Sequence, residues 1–160
     1  MALLILSNWH HSFDNLQLSS ADFYKNMEKA IEIQELPNVK LSLENLSESG
    51  ILSAKRMYLR ITRKGLVFDI CAAPFGKNFF FSYWFGMESS GFANFLAKIP
   101  YVGKFLAQKA QEKTYYQIDT ENMFKECIIN TLFREMDSMV TAKGVRILTD
   151  AQKVETKGNV

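Results

Sequence analysis

Apolar residues recur at every third or fourth position between residues 21 and 35, which is the period of an α-helix with one buried face. Ser20 precedes this run as a residue that can cap a helix, and Pro37 blocks continuation of the helix. The pattern therefore predicts a first helix that ends near residue 34 or 35. Its apolar positions are Phe23, Tyr24, Met27, Ala30 and Ile31.

After this proline the apolar residues alternate with polar ones, which is the period of a β-strand with one buried face. Strands are predicted at residues 39–44, 53–62, 66–73 and 79–85, and polar or glycine-containing turns separate them. Because short connections join antiparallel neighbours, these four strands are predicted to form an antiparallel meander.

A long helix is predicted near the C-terminus, where apolar residues again recur at helical spacing. Asp119 and Thr120 are its predicted N-terminal cap, and Gly144 is a natural residue to follow its last turn. Residues 2–7 are predicted to be a short strand or an apolar arm. Residues 8–20 are predicted to be polar and turn-like.

These elements predict an α+β fold with one domain over residues 1–150 and a polar tail over residues 151–160, of which residues 154–160 are expected to be frayed. In chain order, the domain consists of an N-terminal helix, a four-stranded antiparallel meander, an amphipathic connecting segment and a long C-terminal helix. The last helix is expected to pack on the sheet, because its apolar face needs a partner.

Composition fits a folded protein and narrows the classes of partner. The chain has 160 residues, 48% hydrophobic and 22% charged, which argues against disorder. Its net charge of +2 produces only a weak field, so no nucleic-acid partner is expected. Cys71 and Cys127 lie far apart, which favours reduced thiols in a cytoplasmic protein over a disulfide framework. The N-terminal apolar run is too short for a secretory signal, and no stretch of about 18 apolar residues predicts a spanning helix.

No arrangement of residues predicts catalysis, a cofactor or a metal site. His10 and His11 are adjacent, so their side chains point in different directions in a helix or a strand, and no third ligand follows at motif spacing. Cys71 has no histidine placed to activate it as a nucleophile. The single glycine of "PFGKN" falls short of a phosphate-binding loop.

The acidic residue of the apolar stretch "VFDICAAPFG" is Asp69, in the middle of a predicted strand. An unpaired buried carboxylate is costly, so we expect Asp69 to meet Arg56, Arg60 or Arg63 across a hairpin. A structural cross-strand ion pair is the favoured interpretation. The alternative is a ligand pocket lined by Arg56, Arg60 and Asp69.

The segment from residue 86 to residue 113 has an apolar stripe, several lysines and no acid between residues 89 and 111. Pro100 and Gly103 interrupt it, which favours two short helices. Three interpretations remain open: a lid over the sheet, a helix lying in a membrane surface, or a contact with a protein partner. The predicted contact residues are Phe92, Phe95, Lys98, Ile99, Lys104 and Phe105.

Three stretches of the chain, "SAKRMYLR", "VFDICAAPFG" and "FFFSYW", resemble the core of a widespread family of uncharacterised bacterial proteins. "TYYQIDTENMF" and "TAKGVRIL" extend the resemblance toward the C-terminus. The resemblance implies a bacterial protein with no enzymatic activity that can be named. Many such relatives carry a strongly hydrophobic, membrane-spanning hairpin where this chain has the shorter segment 86–113.

The first hypothesis is therefore a non-enzymatic α+β module that attaches to a membrane surface or a protein partner through segment 86–113. In this case the protein would be peripheral on the inner face of a membrane. The alternative is a small-ligand or nucleotide-binding sensor or effector module of bacterial defence. An enzyme of unknown class ranks third, because no nucleophile and base have a recognisable spacing.

Overall fold

One antiparallel β-sheet organises the chain in a computed structural model that describes residues 3–47, 55–88 and 114–158. In these residues the sheet has six strands, whose order across it is β2-β3-β4-β5-β1-β6. They are β1 (Leu3–Phe13), β2 (Lys40–Ser47), β3 (Lys55–Arg63), β4 (Leu66–Phe75), β5 (Asn78–Glu88) and β6 (Thr156–Lys157).

The predicted α+β class and antiparallel sheet are confirmed, but the predicted four-stranded meander is wrong in extent. The strands β2 to β5 do form consecutive antiparallel pairs, as the sequence predicted. The β3–β4 turn contains Lys64 and Gly65, both at positive φ, which is the two-residue turn that suits a hairpin. The sheet then continues, because β1 pairs with β5 and β6 pairs with β1.

The prediction that residues 8–20 are turn-like is wrong for the part that belongs to β1. Trp9 and Phe13 are buried on the inner face of the sheet, and polar residues alternate with them on the outer face. The polar residues of this face are the reason that the sequence pattern favours a loop here. Pairing with β5, about 75 residues away along the chain, decides its conformation instead.

Two helices in the described residues cover the inner face of the sheet. They are α1 (Ser20–Glu32) and α2 (Tyr115–Ala142). The hydroxyl of Ser19, rather than Ser20, caps α1 by accepting a hydrogen bond from the Asp22 amide at 3.1 Å. The side chains that α1 buries are Phe23, Tyr24, Met27 and Ile31.

The second helix, α2, begins one turn before its predicted cap. Thr114 and Gln117 form a reciprocal capping box, in which each side chain bonds the other residue's backbone amide. At the other end, Gly144 adopts a positive φ of 73° after the last turn, as predicted. The buried residues of α2 are Phe124, Ile128, Thr131, Leu132, Phe133, Met136 and Val140.

The stretch after residue 149 is polar but ordered, so the fraying predicted for residues 154–160 is wrong for residues 154–158, the part of it that the structure describes. It forms a short 3-10 helix (Asp150–Lys153) before β6. The indole Nε1 of Trp9 donates a hydrogen bond to the Gln152 carbonyl at 2.7 Å, and the Gly158 amide donates to the Leu6 carbonyl at 2.7 Å. These bonds fasten the segment to β1.

Candidate functional site: a cleft between β3 and β4

A cavity arises where β3 and β4 separate. Their pairing runs from Arg63↔Leu66 only as far as Leu59↔Ile70. Beyond that point β3 stays paired with β2, and β4 stays paired with β5 as far as Phe75. The two central strands therefore diverge over their outer halves while each keeps its other neighbour.

The phenol of Tyr24 holds this separation open. Its hydroxyl donates a hydrogen bond to the Met57 carbonyl at 2.8 Å and accepts one from the Ala72 amide at 2.9 Å. If the β3–β4 register continued, Tyr58 and Cys71 would be the next pair, and Met57 and Ala72 would follow as the next hydrogen-bonded pair. The hydroxyl thus takes the place of their direct hydrogen bond and keeps the two backbones about one extra hydrogen-bond length apart.

Burial raises the pKa of the Tyr24 hydroxyl well above its ordinary value, although the hydrogen bond with the Ala72 backbone acts in the opposite direction. The hydroxyl consequently remains a donor throughout the physiological pH range. Because it serves the Met57 carbonyl and the Ala72 amide at once, both of these backbone groups keep a hydrogen-bond partner where the strands separate.

Pro74 explains why β4 tolerates an open edge. The amide of Ala72 points toward the cleft, so the nitrogen of Pro74, two residues further along the same strand, faces the same way. Proline has no N–H group, and its presence inside a strand is usually confined to edges. The sequence thus removes the donor that separation of the strands would have left unpaired.

The cleft has a volume of about 680 Å³. Its walls are residues 20, 21 and 24 of α1, Leu46 of β2, residues 55–58 of β3 and residues 72–74 of β4. Lys55 and Arg56 are its charged lining residues, and none of the described lining residues is acidic. The N-terminus of α1 adds partial positive charge at the rim. The arrangement suits an anionic group.

Arg60 and Asp69, two of the three predicted ligand-binding residues, form an ion pair away from the cleft lining. They lie directly opposite each other on β3 and β4. The pair is bidentate, with Nε to Oδ1 and Nη2 to Oδ2 distances of 2.7 Å. The hydrogen bond with Asp69 raises the pKa of Arg60. The favoured interpretation, a cross-strand ion pair, is therefore confirmed, and Arg56 alone of the three predicted residues lines the cleft.

The thiol of Cys71 is not set up as a nucleophile. It is buried on the outer face of β4, and burial raises its pKa, although the nearby charge of Arg56 partly offsets this effect. A thiol with a raised pKa carries little thiolate at neutral pH, and the thiolate is the reactive form.

No group of three or more His, Cys, Asp or Glu side chains in the described ranges is close enough to hold a metal ion. His10 and His11 lie on opposite faces of β1. His10 stacks on Phe80 with ring centroids 6.1 Å apart, and His11 meets the edge of Phe13 at 4.7 Å. Each histidine therefore has its own aromatic neighbour.

The predicted contact residues of segment 86–113 lie outside the residues that the structure describes. They are Phe92, Phe95, Lys98, Ile99, Lys104 and Phe105. Within the described residues, no helix combines the length and apolar character that crossing a membrane would require.

Sequence reasoning missed the two residues that define the cleft. The helical pattern places Tyr24 on the buried face of the first helix, and its hydroxyl, which needs a partner when buried, is the signal of a further role. The stretch "PFGKN" predicts a turn that begins at Pro74. The position of Pro74 in an otherwise apolar strand was the available signal of an open edge.

Comparison with known proteins adds no relative: neither a protein-family model nor a curated protein matches the chain. The resemblance of its core to a bacterial family therefore stays a prediction. Functional inference consequently depends on the geometry of the cleft and on the chemistry of its lining.

Proposed function

We propose that the protein is a non-enzymatic binding module that takes a small anionic ligand in the β3–β4 cleft. The observation that carries the proposal is the charge of this cleft. Its described lining contains Lys55 and Arg56 without an acidic side chain, in a volume of about 680 Å³. Ligand sites typically measure about 300–1,000 Å³ and contain a few polar groups among apolar walls.

Arg56 is the residue on which we expect affinity to depend most. Arg60 is engaged by Asp69, and Arg63 donates a hydrogen bond from Nε to the Pro37 carbonyl at 3.1 Å. Arg56 lines the cleft beside Tyr58, with which its side chain forms a hydrogen bond, and its remaining N–H groups can bind a carboxylate or phosphate. Lys55, the preceding residue of β3, adds a second positive charge to the cleft lining from the other face of the strand.

A thermal unfolding screen with inorganic phosphate, nucleotides and small dicarboxylates tests this proposal. A ligand present at 100 times its Kd stabilises a protein by about 2.7 kcal/mol, which for a domain of this size raises the Tm by roughly 5–10 °C. Arg56→Ala should abolish the increase. Lys143→Ala, an exposed charge at the far end of α2, should preserve it. The proposal fails if no anion raises the Tm or if Arg56→Ala responds as the unmodified protein does.

A second candidate function is attachment to a membrane surface or protein partner through segment 86–113. Trp84, two residues before this segment, exposes 42% of its surface on the outer face of β5. Aromatic side chains of this kind are enriched at membrane–water interfaces. The lysines of the segment would add attraction to anionic lipids.

Flotation with anionic liposomes tests the second candidate. We expect the unmodified protein to float with the lipid, and the double variant Phe95→Glu/Phe105→Glu to stay in the soluble fraction. The idea must be abandoned if both proteins are recovered equally in the soluble fraction. Liposomes without anionic lipid are the control for the contribution of the lysines.

A further inference from the structure

A second depression adjoins the β3–β4 cleft on the outer face of the sheet. It has a volume of about 350 Å³ and is lined by Ser12, Arg56, Ala73, Pro74, Phe75 and Phe80. Arg56, Ala73 and Pro74 line the cleft as well. The two spaces are therefore neighbours, and a single ligand can enter both.

The depression follows from the side chains in one row across the sheet. Ser12 pairs with Phe80, and Phe80 pairs with Ala73, so these three side chains stand next to each other on the outer face. Ala73 is the smallest of the row. Its methyl group leaves a hollow between the ring of Phe80 and the side chain of Arg56, which lines the other side of the hollow.

The chemistry of the depression differs from that of the cleft. Phe75 exposes 73% of its surface there, and Phe80 and Pro74 supply further apolar surface. Phenyl faces stack favourably on other flat rings, and the planar guanidinium of Arg56 can do the same. The hydroxyl of Ser12 at the edge offers a hydrogen bond that a hydrocarbon chain would leave unused.

We infer that the ligand is an anion with a flat aromatic ring, of the nucleotide class. Its phosphate lies in the cleft against Lys55 and Arg56, and its ring lies in the depression against Phe75 and Phe80. This inference rests on the proposed function, because it assigns the anionic half of the ligand to the same cleft. The shared lining residues require the two halves of the ligand to be joined by a short linker such as a ribose.

Isothermal titration with a graded set of compounds tests this inference: inorganic phosphate, ribose 5-phosphate, adenosine, adenosine monophosphate and octanoate. We expect adenosine monophosphate to bind about tenfold or more tighter than ribose 5-phosphate, because stacking of one base on aromatic side chains has about that effect. Phe75→Ala should remove this difference and leave ribose 5-phosphate affinity unchanged. Arg56→Ala should weaken both compounds.

Tyr115→Ala provides the matched control, because Tyr115 is an aromatic residue with 88% of its surface exposed on α2. It should change neither affinity. Equal binding of ribose 5-phosphate and adenosine monophosphate, or a Phe75→Ala variant with unchanged nucleotide affinity, overturns the inference but leaves the proposed function standing. Tighter binding of octanoate than of adenosine monophosphate also overturns it, in favour of an acyl anion. If no compound binds, the inference and the proposed function both fail.

Discussion

At the scale of single residues, Arg60 and Asp69 form an ion pair whose two members differ in how deeply they are buried. The side chain of Asp69 is 6% exposed and that of Arg60 is 20% exposed. Removing one partner of a buried pair typically costs about 3–5 kcal/mol, because the remaining charge is left uncompensated. Arg60→Ala, which leaves the more deeply buried carboxylate alone, should therefore lower the free energy of unfolding more than Asp69→Ala does. Urea unfolding of both variants measures the difference.

The double variant Asp69→Ala/Arg60→Ala provides the internal control for this pair. Since residues in contact couple non-additively, the double variant should lose less stability than the two single variants added together. Additive losses would show that each side chain acts through its own packing and not through the ion pair. A single variant as stable as the unmodified protein would contradict the structural role of Asp69.

At the scale of elements, the hydroxyl of Tyr24 links α1 to two strands and keeps those strands apart. Tyr24→Phe deletes the partner of the Met57 carbonyl and the Ala72 amide. We expect the free energy of unfolding to fall by about 1–3 kcal/mol, the usual cost of unsatisfied buried groups. The Ala72 amide should also exchange its hydrogen faster, because the free energy of opening at this position should fall by a similar amount. Tyr115→Phe, which alters an exposed phenol, serves as the control and should have no effect.

A different outcome for Tyr24→Phe would be informative about the cleft. If β3 and β4 pair directly once the hydroxyl is absent, the Ala72 amide stays protected and the loss of stability is small. The cleft would then close and affinity for anions would fall. Protection at Ala72 combined with unchanged anion binding would contradict the role of Tyr24 in holding the cleft open.

The elements that the sequence predicted well are those with local signals. The strands from β2 to β5 alternate clearly, and the turn at Gly65 is encoded by the residues that form it. By contrast, β1 mixes inward aromatic with outward polar residues, and only its distant partner β5 makes it a strand. With two residues, β6 is too short to have a period at all. Pairing with β1 alone defines it.

The site also combines a feature with a local signal and a feature that depends on distant residues. The partnership of Asp69 with an arginine was predictable, because a carboxylate inside a strand needs a cation and the hairpin placed arginines opposite it. The cleft was not predictable in the same way. It depends on the point at which the β3–β4 register ends, and a hydroxyl from α1, more than 30 residues before the strands it separates, determines that point.

At the scale of the whole molecule, Glu155 connects the C-terminal segment to the sheet and to α2. Its carboxylate accepts a hydrogen bond from Lys125 Nζ at 2.5 Å and another from the Tyr83 hydroxyl at 3.2 Å. Burial alone would raise the pKa of Glu155, but the hydrogen bonds and charge of Lys125 outweigh it and leave the pKa below its ordinary value. The ionised carboxylate therefore stabilises the folded chain.

The depressed pKa of Glu155 predicts how this stabilisation depends on pH. A group whose pKa is lower in the folded state stabilises the protein above its unfolded pKa, which is about 4.3 for glutamate, and the stabilisation is lost as the pH falls through the folded value. Glu155→Gln should thus be less stable than the unmodified protein at pH 7, by about 1 kcal/mol or less because the pair is partly exposed to solvent. The difference should disappear toward pH 3. Urea unfolding of both proteins across this range measures it, with the exposed Glu35→Gln as the control. A difference that persists at pH 3, or is absent at pH 7, would mean that the C-terminal segment is held by Trp9 and β6 without help from this carboxylate.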